Sequence, residues 1–196
     1  HTRLSIIDIR GGNQPLLNKN IVLVANGEIY NDPEIRARLE KYKFKTNSDS
    51  EAITGLYFEE GIEGLKKLRG MYAFALYDKK KNRTVLSRDV FGIKPLYFSK
   101  IKEGIIFSSE IRPLISLNLI EKDISNSKLL EYLELQYCSG KGTIYKNIQR
   151  ITPGELLVIE DGEISVNGKS KNPTKFFKIW RNLLSRNSIK SFAQIK

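Results

Sequence analysis

The chain has 196 residues, 40 % of them hydrophobic, enough for one sizeable domain, and a formal net charge of +11. Its apolar runs do not exceed seven residues, far short of the ~20 needed to cross a bilayer. One cysteine, Cys138, excludes an intrachain disulfide, and one histidine, His1, makes a His/Cys metal centre implausible, so no metal is expected. The start, His1-Thr2-Arg3, carries no secretory signal pattern, and a cytoplasmic protein is expected. The positive charge is unevenly placed. Residues 164–196 hold eight Lys/Arg and no Asp/Glu, leaving 25 basic and 22 acidic side chains in the first 163. A near-balanced body with a basic tail is not the pattern of a nucleic-acid-binding face.

In chain order, Leu4–Ile9 is the first strand candidate, closed by Gly11-Gly12, and Ile21–Ala25 the second. Asp32-Pro33 starts a surface helix that runs to Lys41, with proline where its missing N–H costs nothing. Ser48 or Asp49 caps a second helix through Ile53, Leu56 and Tyr57 that stops at Gly61, and Ile62–Leu68 makes a short third. Met71–Tyr77 is apolar on both alternating faces, as in a strand covered on both sides. The turn 78–82 returns it to Thr84–Ser87, and Leu96–Phe98 and Ile105–Phe107 follow at hairpin-like intervals. A helix over Asn126–Leu135 carries an apolar stripe of Leu129, Leu130, Leu133 and Leu135. Leu156–Val166 is a hairpin turned by Asp161-Gly162. Early helices with many doubly covered strands imply packed sheets with helices outside.

Three groups stand at the ends of these elements. Asn26-Gly27, after the second strand, offers a side-chain amide and an unhindered backbone N–H, a pair able to hold a carbonyl oxygen as it becomes an anion. Arg3 offers the paired donors that suit a carboxylate, and Asp49 a charge that suits an ammonium. Each has a plainer reading: a turn for Asn-Gly, surface charge for Arg3, a helix cap for Asp49.

Motifs in register decide between them. His1–Asp8, Gly12-Asn13-Gln14-Pro15, Asn26–Asn31, Ser48-Asp49-Ser50-Glu51, Gly70–Asp78, Arg88–Tyr97 and Ser108-Ser109-Glu110-Ile111 run in order through most of the chain. With these motifs the chain resembles the class II glutamine amidotransferase domain of glutamine-hydrolysing asparagine synthetases. The resemblance implies an α+β fold of the N-terminal-nucleophile hydrolase type, a four-layer α/β/β/α sandwich of antiparallel sheets, here without its first strands. It implies that Arg3 holds the glutamine α-carboxylate, Asn26 and Gly27 form the oxyanion hole, Glu28 belongs to the same glutamine-binding loop, and Asp49 faces the α-ammonium. By the same resemblance Asn31 stabilises the loop, and Arg88–Tyr97 is mainly architectural, with a side role at the interface to a second domain.

The family nucleophile is an N-terminal cysteine on a strand preceding His1 in register, and Cys138 is expected to be a structural thiol instead. Ser139-Gly140-Lys141-Gly142-Thr143 departs from the Ser-Gly-Gly-x-Asp-Ser phosphate loop that opens the family's synthetase domain and reads as a linker. The expectation is therefore an incomplete amidotransferase domain over 1–166 and a basic tail over 167–196 unrelated to the family. The expected partners are glutamine and a synthetase domain in cis or trans, with homodimerisation left open. ATP and magnesium belong only to that synthetase half, and no cofactor is expected in this chain. A non-catalytic relic or partner-binding module of the same fold stays open as the alternative.

Overall fold

The computed structural model describes residues 12–102, 104–160 and 163–169. The Leu4–Ile9 strand, Arg3, the Asp161-Gly162 turn and the tail from 170 onward lie outside the described residues.

Among the described residues the main sheet has six strands in the order β1-β2-β3-β4-β8-β9: β1 Leu16–Asn18, β2 Ile21–Ile29, β3 Gly70–Asp78, β4 Arg83–Arg88, β8 Glu155–Glu160 and β9 Glu163–Lys169. Every pairing in it is antiparallel. A second antiparallel sheet has the order β6-β5-β7, from β5 Tyr97–Ile101, β6 Gly104–Ser108 and β7 Gln149–Arg150. The helices are α1 Asp32–Arg38, α2 Glu51–Leu65, α3 Ile111–Ser116 and α4 Asn126–Leu135.

β3 shows how the sequence pattern builds layers. Its Tyr72, Phe74 and Leu76 point into one core with Ile53, Leu56 and Leu65 of α2. Its Ala73 and Ala75 point into a second core with Phe98 of the other sheet and Leu96 just before it. Alternation sends successive residues to opposite faces, so a strand with two covered faces needs an apolar residue at nearly every position. α3 packs against β5 and β6 of the second sheet. The described residues thus stack as helices, sheet, sheet, helix, the four layers expected.

Several boundaries differ from expectation, for physical reasons. β2 does not end at Ala25 but runs through Asn26, Gly27 and Glu28 to Ile29, paired along its length with β3. α1 stops at Arg38 rather than Lys41, because Leu39 turns to extended backbone and buries its side chain. Neither Ser48 nor Asp49 caps α2 through its side chain: Ser50 is the N-cap without a side-chain bond, and the Ser48 hydroxyl is buried with no hydrogen-bond partner. The expected break at Gly61 is present, since its φ of 65° interrupts the helix. The following segment ends at Leu65, short of Leu68. α3 was not foreseen, and its Pro113 sits in the first turn where no N–H is needed. β9 continues to Lys169, three residues beyond the expected domain end. No described helix is long and apolar enough to cross a membrane.

Candidate active site

The candidate site is one edge of β2. Antiparallel pairs alternate between those that exchange backbone hydrogen bonds and those that do not. Lys79 N donates to Asn20 O and Tyr30 N donates to Arg69 O at the two ends of the β2–β3 ladder. Both fix the same parity, so Asn26–Ala73 and Glu28–Met71 are bonded pairs and Gly27–Tyr72 is a non-bonded one. The N–H groups of Ala25, Gly27 and Ile29 therefore point away from β3, toward the outer edge.

Two of these three are sealed by side chains. Ala25 N donates to Gln14 Oε1 at 2.7 Å, and Gln14 Nε2 donates to Ala25 O at 2.8 Å. β1 pairs Leu16 with Leu23, so position 14 in that register falls opposite Ala25. The Gln14 amide thus supplies the donor and acceptor that a strand backbone would have supplied, just before Pro15, which has no N–H to offer. Ile29 N donates to Asp49 Oδ2 at 2.6 Å, and Asp49 is buried. Among the described residues, the Gly27 N–H lies between these sealed positions with no partner on the edge.

Gly27 is required there. Its φ is +136°, a conformation L side chains rarely adopt, and an added Cβ would stand 2.7 Å from Tyr72 Cα and closer still to the Met71 carbonyl oxygen. Tyr72 is buried beneath, and burial, reinforced by the Asp89 charge, holds its phenol above the ordinary range, so the ring packs as a neutral group.

Asn26 precedes Gly27 and lines a cleft of about 700 Å³ between the two sheets. Ala73, Ala75, Leu96 and Phe107 form apolar walls, and Ser108, Ser109 and Glu110 supply a polar end. Asn26 is exposed and Glu28 half-buried, on the same face of β2 by alternation. A mostly apolar cleft with an amide and an open N–H at its lip can bind a small polar molecule and polarise its carbonyl.

The surroundings hold this lip rigid. Asn31 donates through Nδ2 to Lys67 O at 3.0 Å and accepts from Arg69 N at 2.9 Å, clamping the end of β2 to the loop before β3. Arg88 and Asp89 organise the next loop. The Asp89 carboxylate, fully buried, accepts from Phe91 N, Ile93 N and Lys94 N at 3.0–3.1 Å and from Tyr72 N at 3.3 Å. The Arg88 guanidinium donates to the carbonyls of Lys94, Ile151 and Gly92. That is the architectural role expected of the Arg88–Tyr97 motif. Cys138 is buried, its thiol 3.5 Å from Lys128 O, and it does not line the cleft.

The structure thus brings Asn26, Gly27, Glu28 and Asp49 to one strand edge, while Arg3 lies outside the described residues. Gln14 was not foreseen as part of this edge. Only the strand register places it opposite Ala25, although it stands inside a motif the sequence singled out.

The layered fold is shared with solved amidotransferases. The structure resembles glutamine phosphoribosylpyrophosphate amidotransferase from B. subtilis, with a TM-score of 0.55 at 20 % identity, over 80 % of this chain and 31 % of that one. The resemblance places it among antiparallel α+β folds of the N-terminal-nucleophile type. Residues 1–171 match the glutamine amidotransferase domain family, and the chain belongs to that family. Its relatives include glutamine-hydrolyzing asparagine synthetase 2 of Bacillus subtilis (strain 168), 49 % identical over 164 residues, which are 80 % of this chain and 22 % of that protein. Glutamine-hydrolyzing asparagine synthetase B of Escherichia coli (strain K12) is 47 % identical over 119 residues, 59 % of this chain and 22 % of that protein. The chain therefore spans about a fifth of the length of these curated relatives.

Proposed function

We propose that this domain takes glutamine and serves the amidotransferase half of an ATP-dependent asparagine synthesis, releasing glutamate and delivering ammonia to a synthetase domain in cis or trans. The observation that carries the reading is the Gly27 N–H, open among the described residues on the edge of β2 between the positions sealed by Gln14 and Asp49.

Glutamine fits this edge in length. The spacing of two strand residues puts Asp49's attachment point about 7 Å along from Gly27. The α-nitrogen and side-chain oxygen of extended glutamine are about 6 Å apart. Asp49 keeps a carboxylate at the ammonium end, and Arg3 is assigned the α-carboxylate. When a thiolate adds to the side-chain carbonyl, its oxygen becomes an anion, which the Asn26 amide and the Gly27 N–H stabilise together. Collapse of that adduct breaks the C–N bond, ammonia leaves with a transferred proton, and water then releases glutamate from the thioester.

The thiolate is not one of this chain's own groups at the cleft, because Cys138 is its single cysteine and is buried elsewhere. The second reading is a non-catalytic module of the same fold. Appending an N-terminal Cys-Gly segment of the family type separates the two. The first reading expects glutamate release from glutamine that falls sharply for an analogue lacking the α-amino group, and Asp49→Asn should narrow that preference. A folded, extended chain with no preference between the two substrates would overturn the assignment of Asp49.

A further inference from the structure

Among the described helices, α4, of ten residues, is the one without a buried residue. Leu130 and Leu133 are 61 % and 62 % exposed, and Tyr132, Leu135 and Tyr137 are also exposed. A helix with an apolar stripe ordinarily covers it, and an exposed cluster of this kind marks a contact site. Among the described residues α4 is held by polar contacts: Ser125 N donates to Ile144 O, Lys128 and Glu131 bind the backbone of Ser139, and the Cys138 thiol lies 3.5 Å from Lys128 O.

The path of the chain indicates what reaches it. β9 ends at Lys169, opposite Glu155. Glu155 is ion-paired with Lys141, two residues beyond the Ser139 that is strapped to α4. The chain thus leaves β9 beside the loop that carries α4, with 27 residues still to come. Six of these, 170–175, can reach about 20 Å when extended, against a helix length of about 15 Å for α4.

The residues that follow have a matching pattern. Phe176, Phe177, Trp180, Leu183 and Leu184 recur at helical spacing, and residues 170–196 carry seven Lys/Arg and no acid. Residues 121–135 carry four carboxylates and two lysines. We propose that the segment Phe176–Leu184 docks on the exposed apolar face of α4 and covers Leu130 and Leu133 within the same chain. The proposal is independent of glutamine chemistry, since neither α4 nor the segment includes a residue assigned to substrate.

Trp180 is the only tryptophan, so its fluorescence reads the contact directly in the full chain. The expected result is a blue-shifted emission shielded from acrylamide, unchanged on dilution. Replacing two exposed side chains, Leu130→Asp with Leu133→Asp, should move the emission to the red and raise quenching to that of a free tryptophan amide, with far-UV dichroism retained. Phe176→Asp, which leaves the body of the domain untouched, should do the same from the other side of the contact. Three results would overturn the proposal: a fully quenchable Trp180 in the unaltered chain, shielding indifferent to both sets of substitutions, or shielding that fades on dilution because a second copy covers the face.

Discussion

Gly27→Ala is the most demanding perturbation of the site that leaves every other side chain in place. The added Cβ would lie 2.7 Å from Tyr72 Cα and closer to the Met71 carbonyl oxygen, both backbone atoms of the neighbouring strand. Backbone in the middle of a six-stranded sheet cannot yield without loosening the bonded pairs on either side, Asn26–Ala73 and Glu28–Met71. The unfavourable φ costs about 1–3 kcal/mol, and loosening one bonded pair adds about 1 kcal/mol. A total of about 2–4 kcal/mol corresponds to a fall in Tm of about 10 °C for a chain of this size. Gly61→Ala is the control, because Gly61 also has positive φ (65°) but nothing within 4 Å of an added Cβ. Its ψ of −149° puts it in the same glycine-favouring class, so the substitution should cost the backbone strain alone, about 1–3 kcal/mol, with no added clash. Thermal and urea unfolding of both variants, followed by far-UV dichroism, measures the difference. A Gly27→Ala protein no less stable than Gly61→Ala would refute the strand-edge geometry.

Other substitutions probe the supports. Asn31→Ala removes the clamp to Lys67 O and Arg69 N and should lower stability by about 2 kcal/mol in urea unfolding. Asp89→Ala orphans several backbone N–H groups around a fully buried carboxylate and should cost about 3–5 kcal/mol, measured in the same way. Glu155 gives a pH dependence. Burial pushes its carboxyl up, but the Lys141 ion pair and the Thr152 backbone and hydroxyl bonds outweigh burial and leave it below the usual value. A depressed folded-state pKa contributes stability above the unfolded glutamate value of about 4.3 and loses it as pH falls through the folded one. Stability of the unaltered chain should therefore exceed that of Glu155→Gln at neutral pH, and the gap should close on acidification. A gap that persists or widens in acid would contradict this.

How much of this was readable in the sequence depends on the range of the interaction concerned. β3 was legible because a strand with two covered faces writes both faces into consecutive residues, Tyr72 through Leu76. The Gly61 break was legible because glycine takes positive φ without strain. The end of β2 was misjudged because Asn-Gly is locally a turn signal, and only the approach of Met71 and Tyr72 holds Gly27 in a strand. Asp49 reads locally as a cap, yet its carboxylate is drawn to Ile29 N, twenty residues away. Gln14 could not be assigned without the β1–β2 register. The stripe on α4 was visible, but its exposure was not, since periodicity shows that a face is apolar and not what lies against it.

The Asn26 amide offers the most direct test of the proposed chemistry. In the chain extended with an N-terminal Cys-Gly segment, glutamate release from glutamine should be measured for Asn26 and for Asn26→Ala. Loss of one oxyanion donor should lower kcat by about 10²–10³-fold with little change in KM. An extended, folded protein that releases no glutamate, or an Asn26→Ala variant that turns over as fast as its parent, would contradict the reading of this strand edge as an oxyanion hole.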